Sequence, residues 1–538
     1  MRPDMPLSTT VAARYRLSRP VMFALVFAAA IRLTHFSAVA ASTIPEWHKV
    51  ELESDYAATW TWASEIRAGN LLGQPTFHPY TGWMRALGTK ADWARWWGGE
   101  EIFQQAPLYP YLVALIDNPP VGSPLPVLLF QILFGLLALP CVAELARRWH
   151  GELAASVAAW GWTLSQGAVA LDAFLVRDSL GISLAAISLW AVERIDPWSK
   201  PVRKSVIAGA LLGLAALDRE NMLALGAVAP LIVFWKLRPT PRVRGRASAA
   251  CLASLLLVLS PVCFRNVIVG APLLSLSNRP PEAIAEGFST DADADPVGFQ
   301  VPSNMGEVLE HAHGSSWRVM VELLHRAPDA GSVISLLGRK LWALLSPYEP
   351  ADNVDLNYLC WISPVLRPLI PGCVFMWFGL LGLALCLRRP DELPLAWASS
   401  TVLLLPLLFT STLWRIRAGL LPVFVPLSGV AVAWLVQRWR SREGVPFSSA
   451  VAVGVLGALA LSYAFPPKPL FRVRYLEVVS SARVHLRRGE PKRALEEVDA
   501  WLGLVSRGRA SRARASAMRA FRDRIAALPG PSAPPPAP

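Results

Sequence analysis

A few acids and arginines stand where apolar runs of the chain end, and their spacing suits chemistry at a membrane boundary. Asp55, in Ser54-Asp55-Tyr56, follows the first apolar run by about fifteen residues. A carboxylate beside a low-dielectric region has a raised proton affinity, which suits a general base. The same two residues also suit a helix cap, with Ser54 or Asp55 capping a helix that starts at Tyr56. Asp178 opens another apolar run, with Asp172 six residues before it. It could orient a substrate, or cap its helix and pair with Arg177. Arg219, Arg265, Arg415 and Arg417 also sit at run ends. Guanidinium forks match phosphate oxygens, but arginines at such places equally anchor a helix below lipid headgroups. Glu100, Glu101, His78, His311 and His313 have the chemistry of metal ligands without a diagnostic spacing, and a solvated loop explains them as well. Asp291, Asp293 and Asp295 resemble part of a calcium loop but lack its Gly and terminal Glu. No Walker A, GxSxG, HExxH or CxxC motif occurs, which speaks against nucleotide-driven pumps and membrane proteases.

The elements that must position these groups are membrane helices. Of 538 residues, 53% are hydrophobic and only 17% charged, with a mean hydropathy of +0.38. The net charge of +13 does not point to nucleic acid, because Arg and Lys collect in short turns between apolar runs. Spans are expected near 21–40, 123–145, 152–171, 179–194, 205–217, 221–236, 247–264, 370–387, 393–411, 418–436 and 446–465, about eleven in all. With residues 1–20 cytoplasmic, the turns at 146–151, 195–204, 237–246, 388–392 and 437–445 fall inside. Those are the basic ones. Two large loops then fall outside, 41–122 and 265–369. The first is rich in Trp and reads as amphipathic helices at headgroup level, and Ser332 to Leu345 in the second reads likewise.

Beyond the membrane domain of 21–465, residues 466–528 read as helical. A turn at Gly489-Glu490-Pro491 suggests one tetratricopeptide-like hairpin. An odd span count puts this region outside, although it carries fifteen Lys/Arg against six Asp/Glu. Residues 529–538 form a disordered Pro/Ala tail. The first run, followed by Ala38-Val39-Ala40, also has the look of a signal peptide, but the many spans that follow favour an uncleaved helix. The six cysteines read as buried small hydrophobes, and a Cys360–Cys373 disulfide is conceivable only on an oxidising side.

The chain resembles the GT-C superfamily of membrane glycosyltransferases, in particular the family 39-like group of protein O-mannosyltransferases, lipid A aminoarabinose transferases and Rgt-type transferases. The resemblance rests on Asp55-Tyr56 with Ile66-Arg67-Ala68-Gly69-Asn70, on Gln105-Ala106-Pro107-Leu108-Tyr109-Pro110-Tyr111-Leu112, on Asp218-Arg219-Glu220-Asn221, on Arg265-Asn266 and on Arg415-Ile416-Arg417 through Pro422. It implies an all-α polytopic fold with Asp55 as catalytic base and Asp178 as the second acid. It further implies that Tyr56, Tyr109, Arg219, Glu220, Arg265, Asn266, Arg415 and Arg417 contact substrate. The expected reaction moves a sugar from a polyprenyl-phosphate donor to a lipid, glycan or protein acceptor with inversion, on the periplasmic face of a bacterial inner membrane. No cofactor is certain, and a divalent ion at Glu100 or Glu101 is the one the resemblance leaves open. The segment Ser275 to Pro281 is thinner than the Gly/Asn-rich one usual in the group, which puts the identity of carrier and sugar in doubt. A transporter or lipid flippase is the alternative, but no internal repeat is evident. An assembly protein working through its C-terminal hairpin is a third reading.

Overall fold

Backbone polar groups in hydrocarbon must be satisfied within their own segment, so long apolar runs fold as helices. The computed structural model describes residues 18–117, 122–290, 301–391, 393–441, 445–466, 473–506 and 514–528. It is 76% helix, with no strand among the described residues. Asp291, Asp293, Asp295 and the Pro/Ala tail lie outside them. The chain is an integral membrane protein. Five helices are long and apolar enough to cross a membrane: Arg19–Ala40, Leu125–His150, Pro241–Val269, Trp414–Ser441 and Val445–Ala464. Met222–Lys236, Gly372–Cys386 and Pro394–Phe409 are shorter apolar helices.

Helices also occupy the three other places where spans were expected. Arg177–Glu193 and Pro201–Asp218 carry polar residues that the bundle encloses, such as Ser179, Ser183 and Ser205. The third is broken. Glu152–Leu164 ends at Ser165, which is extended, and Gln166–Asp172 resumes under a Ser165 side-chain cap. The freed backbone groups pair with Ile370, whose N–H reaches Leu164 O at 2.8 Å and whose carbonyl accepts from Gln166 N at 3.0 Å. Irregular backbone at such depth is tolerated where protein surrounds it. Close helix approach depends on small residues. A Cβ at Gly209 would stand 2.0 Å from Cys251 O, so Pro201–Asp218 and Pro241–Val269 touch backbone to backbone.

The basic turns gather at one end of the bundle. Lys236 pairs with Glu193 at 3.0 Å, Trp235 Nε1 donates to Asp391 O at 3.4 Å, and His150 meets Gln437 at 3.1 Å. The two large loops gather at the opposite end. There Tyr475–Arg487 and Pro491–Ser506 turn about Gly489 (φ +74°), and Ala515–Ala526 follows as a third helix. These helices grip the loop before Asp55. Arg488 pairs with Glu46 at 2.6 Å, Ser480 Oγ donates to Glu51 at 2.6 Å, and Arg483 reaches Glu51 at 3.1 Å. All six cysteines are free, including Cys360 and Cys373.

Candidate active site

The helix Asp55–Arg67 begins under the Ser54 hydroxyl, which accepts from Ala57 N. Ser54 therefore fills the capping role, and the Asp55 carboxylate is left for other contacts. It meets the short helical turn Trp414–Arg417. Arg415 Nη2 donates to Asp55 Oδ2 at 2.5 Å and Nη1 to Asp178 Oδ2 at 3.0 Å. Arg415 Nε donates to the Asp352 carboxylate. Asn353 fixes Asp55 from the other side: its Nδ2 donates to Asp55 Oδ2 at 2.9 Å, and its Oδ1 accepts from Asp55 N at 2.9 Å. A second cation, Arg219, donates to Asp178 Oδ1 at 2.7 Å. Gly181 makes room for it, since a Cβ there would stand 2.5 Å from Arg219 Cδ.

The three carboxylates on Arg415 differ in access. Side-chain exposure is 2% for Asp178, 13% for Asp352 and 35% for Asp55, so Asp55 is the acid a substrate can best reach. Burial works to raise its proton affinity, but Arg415, Arg279 and Arg177 outweigh that and hold it below the ordinary value. This reverses the direction expected from the sequence, and the cause is the ring of guanidiniums. Nearby, Glu286 is pushed up to about 8 by burial, with Glu282, Asp352 and Asp55 adding to the rise against Arg279.

Beside this cluster lies a cavity of about 350 Å³. Arg177, Arg219 and Arg279 line one part of it, and Leu403, Leu407 and Phe409 another. Arg177 is paired with Glu220 at 3.0 Å, and Glu220 also accepts from Ala106 N at 2.8 Å. That bond ties the Gln105-to-Leu112 motif to the motif around Arg219. Asp178, in the first turn of its helix, pairs with Arg219 and Arg415 rather than with Arg177.

The remaining sequence candidates are placed elsewhere. Arg417 is 2% exposed and donates to the carbonyls of Ala343, Leu344 and Ser346 while pairing with Glu349. Arg265 lies over the Phe103 ring at 3.9 Å and donates to Leu72 O, Gly73 O and Thr76 Oγ1. Asn266 closes the turn after its helix on Pro272 O and Ser275 O. Tyr56 is buried against Trp47 and Phe174, and the Tyr109 hydroxyl bonds Gln131. Asp172 forms a buried pair with Arg32 at 2.7 Å and accepts from Ser179 Oγ at 2.6 Å. Among the described residues no group of three or more His, Cys, Asp or Glu side chains is placed to hold a metal ion. Glu100 and Glu101 stand exposed on the loop, and it is the Glu101 carbonyl, not its carboxylate, that Arg265 takes. His78 stacks on Trp97 and His311 bonds Glu322. Among the described residues, Glu100, Glu101, His78 and His311 are not brought together as ligands of one ion.

Sequence reasoning passed over Asp352, Asn353 and Arg279, and saw Arg177 only as a helix-end partner. The run Glu349-Pro350-Ala351-Asp352-Asn353-Val354-Asp355 is the signal that could have found the first two, as a knot of acids and one amide directly before a short helix.

Residues 104–264 match the model of the dolichyl-phosphate-mannose-protein mannosyltransferase family. That match bears out the resemblance to GT-C membrane glycosyltransferases. Among solved structures, the chain is similar to the archaeal oligosaccharyltransferase AglB from Archaeoglobus fulgidus in complex with an inhibitory peptide and a dolichol-phosphate. The identity is 14%, the TM-score 0.44, and the match covers 86% of this chain and 58% of that one. The apo form of the Archaeoglobus fulgidus oligosaccharyltransferase is similar at 13% identity and a TM-score of 0.41, over 82% of this chain and 55% of that one. The chain thus spans a little over half the length of these structures. No curated protein matches it.

Proposed function

We propose that this chain transfers a sugar from a polyprenyl-phosphate donor to a hydroxyl of a lipid, glycan or protein acceptor, at the extracytoplasmic membrane face and with inversion. The observation that carries this reading is one reachable carboxylate, Asp55, linked through Arg415, Asp178 and Arg219 to a cavity that joins guanidiniums to apolar wall. The name of the matching family supplies the donor class, a polyprenyl-phosphate sugar. The gathering of the basic turns at the other end of the bundle supports an outward-facing site.

In this reading the Asp55 carboxylate accepts a hydrogen bond from the acceptor hydroxyl. As that oxygen bonds to the anomeric carbon, its proton becomes acidic and passes to Asp55. The bond from the anomeric carbon to the phosphate oxygen breaks, and its electron pair leaves with the phosphate. A low-affinity base such as Asp55 is ionised at neutral pH and takes the proton late, when the attacking oxygen carries positive charge. Arg219, with Arg177 and Arg279, neutralises the departing phosphate, where paired N–H donors match its oxygens. The apolar wall suits the start of the polyprenyl tail. Asp178 and Asp352 hold Arg415, which in turn fixes Asp55.

The test reconstitutes wild type and Asp55→Asn with membrane lipid extract and follows loss of polyprenyl-phosphate sugars by mass spectrometry. Turnover in wild type, with a drop of about 10²-fold or more in the variant, is the expected result. Equal turnover in both removes Asp55 from the base role and turns attention to Asp178. No turnover in either removes the transferase reading and favours transport.

A further inference from the structure

A second concave site lies at the end of the bundle opposite Asp55. It forms where Arg177–Glu193 ends and Pro201–Asp218 begins, and it encloses about 530 Å³. Four cations line it: Arg194, Lys200, Arg203 and Lys204. The turn between the helices contributes one carboxylate, Asp196, and local bonds occupy it. Asp196 takes Lys204 Nζ at 2.5 Å, Trp198 N at 2.9 Å and Ser199 Oγ at 3.3 Å. The neighbouring acid, Glu193, is engaged by Lys236 at 3.0 Å. Arg194 lies over the Trp190 ring at 4.6 Å. Among the described residues no ion pair reaches Lys200 or Arg203, and both are exposed.

The backbone adds to the positive field. Lys200 adopts a left-handed conformation (φ 49°) that turns the chain into the eighteen-residue helix starting at Pro201. Pro201 has no N–H and Lys204 N is taken by Lys200 O, so the N–H groups of Val202 and Arg203 are the ones without a partner within the helix, and they carry partial positive charge. Lys204 is spent on Asp196, Ser199 Oγ and Arg194 O, and Arg194, Lys200 and Arg203 stand around the helix start, an arrangement for an anion.

Apolar surface continues directly from the cations. Val202, Val206 and Ile207 of the same helix are 38%, 43% and 46% exposed, and Ile207 lines the cavity. Trp198, at the rim, is 83% exposed, where an indole suits the level of lipid headgroups. A soluble phosphate has no use for that apolar lane, whereas an amphiphile uses both parts. We infer that this pocket binds the phosphate of an anionic membrane phospholipid, with its acyl chain along Ile207 and its headgroup on Lys200 and Arg203. Basic pockets between membrane helices on the cytoplasmic side recognise such headgroups. The site is separate from the Asp55 cluster and does not depend on the transferase reading.

The test uses the full chain purified in detergent and native mass spectrometry. Phosphatidylglycerol and phosphatidylcholine of equal acyl length are compared as ligands. The expected result is retention of phosphatidylglycerol at concentrations where phosphatidylcholine is lost. Lys200→Ala with Arg203→Ala should weaken phosphatidylglycerol binding by about 30-fold, the effect of two basic residues near a charged lipid. Both side chains are exposed, so the fold should tolerate the change, and an unchanged thermal melt checks this. Lys200→Arg with Arg203→Lys keeps the charge and should keep the binding. Ile207→Asn should weaken retention without altering the cations. Equal retention of the two lipids, or equal binding by the Ala double variant, overturns the inference. Displacement of phosphatidylglycerol by millimolar inorganic phosphate overturns the lipid assignment and leaves a soluble anion as the ligand.

Discussion

Arg415 and Arg417 are two positions apart on one helical turn, and they occupy opposite chemical worlds. At about 100° per residue, two steps carry a side chain most of the way to the far side of a helix. Arg415 faces three carboxylates, one of them open to solvent, beside a cavity. Arg417 faces the end of the helix Ala330–Leu345, where it donates to the carbonyls of Ala343, Leu344 and Ser346 and pairs with Glu349. Both are enclosed guanidiniums in one motif. What separates the proposed reactive place from the structural one is a reachable acid and a void, not the charge itself.

Replacing Arg415 should give the largest effect. Arg415→Ala leaves Asp55, Asp178 and Asp352 crowded without their shared cation, and should lower stability by about 3–5 kcal/mol and remove turnover. A thermal melt and the donor-loss assay read the two parts. A melt equal to wild type would show that the carboxylates do not need this cation. Asp55→Asn should come next, with turnover down about 10²- to 10⁴-fold and the melt nearly unchanged, because the amide can still bond Asn353. Arg417→Ala inverts that pattern. It should cost about 3 kcal/mol of stability by stranding Glu349 and the Leu344 and Ser346 carbonyls, while the folded fraction turns over at close to the wild-type rate. If its turnover falls as far as that of Asp55→Asn, the division between the two arginines is wrong.

The smallest effect concerns pH. The guanidiniums depress the proton affinity of Asp55, so its ionised form, and the stability it lends, are present above the ordinary carboxylate range and are lost only as pH falls below it. The acid limb of the rate profile should therefore lie below the ordinary carboxylate range in wild type. In Arg415→Gln the depression is reduced, and whatever limb can be measured should move to higher pH. An unmoved limb would assign it to another group.

Much of this arrangement was legible in the chain because hydropathy and charge are local properties. Apolar length located the helices, and basic turns marked one end of the bundle. Asp55, Asp178, Arg219 and Arg415 could be singled out because each sits where an apolar run meets a polar one. Partners could not be read that way. Asp352 and Asn353 lie about three hundred residues from Asp55, and only packing brings them together. The roles of Arg265 and Arg417 escaped for the opposite reason: a guanidinium satisfied by carbonyls looks, in one dimension, the same as one waiting for phosphate. The break at Ser165 was hidden because its partner, Ile370, is two hundred positions away.

The grip of the helices after residue 473 on the loop before Asp55 has a consequence in time. Glu46 and Glu51 are held by Ser480, Arg483 and Arg488, more than four hundred positions later in the chain. Arg474 also donates to Asp352 O at 2.6 Å, behind the carboxylate that engages Arg415. A ribosome making this chain lays down Asp55 first and the helices that brace its loop more than four hundred residues later. Until those helices emerge, Glu46 and Glu51 lack three of the partners that hold them in the folded chain.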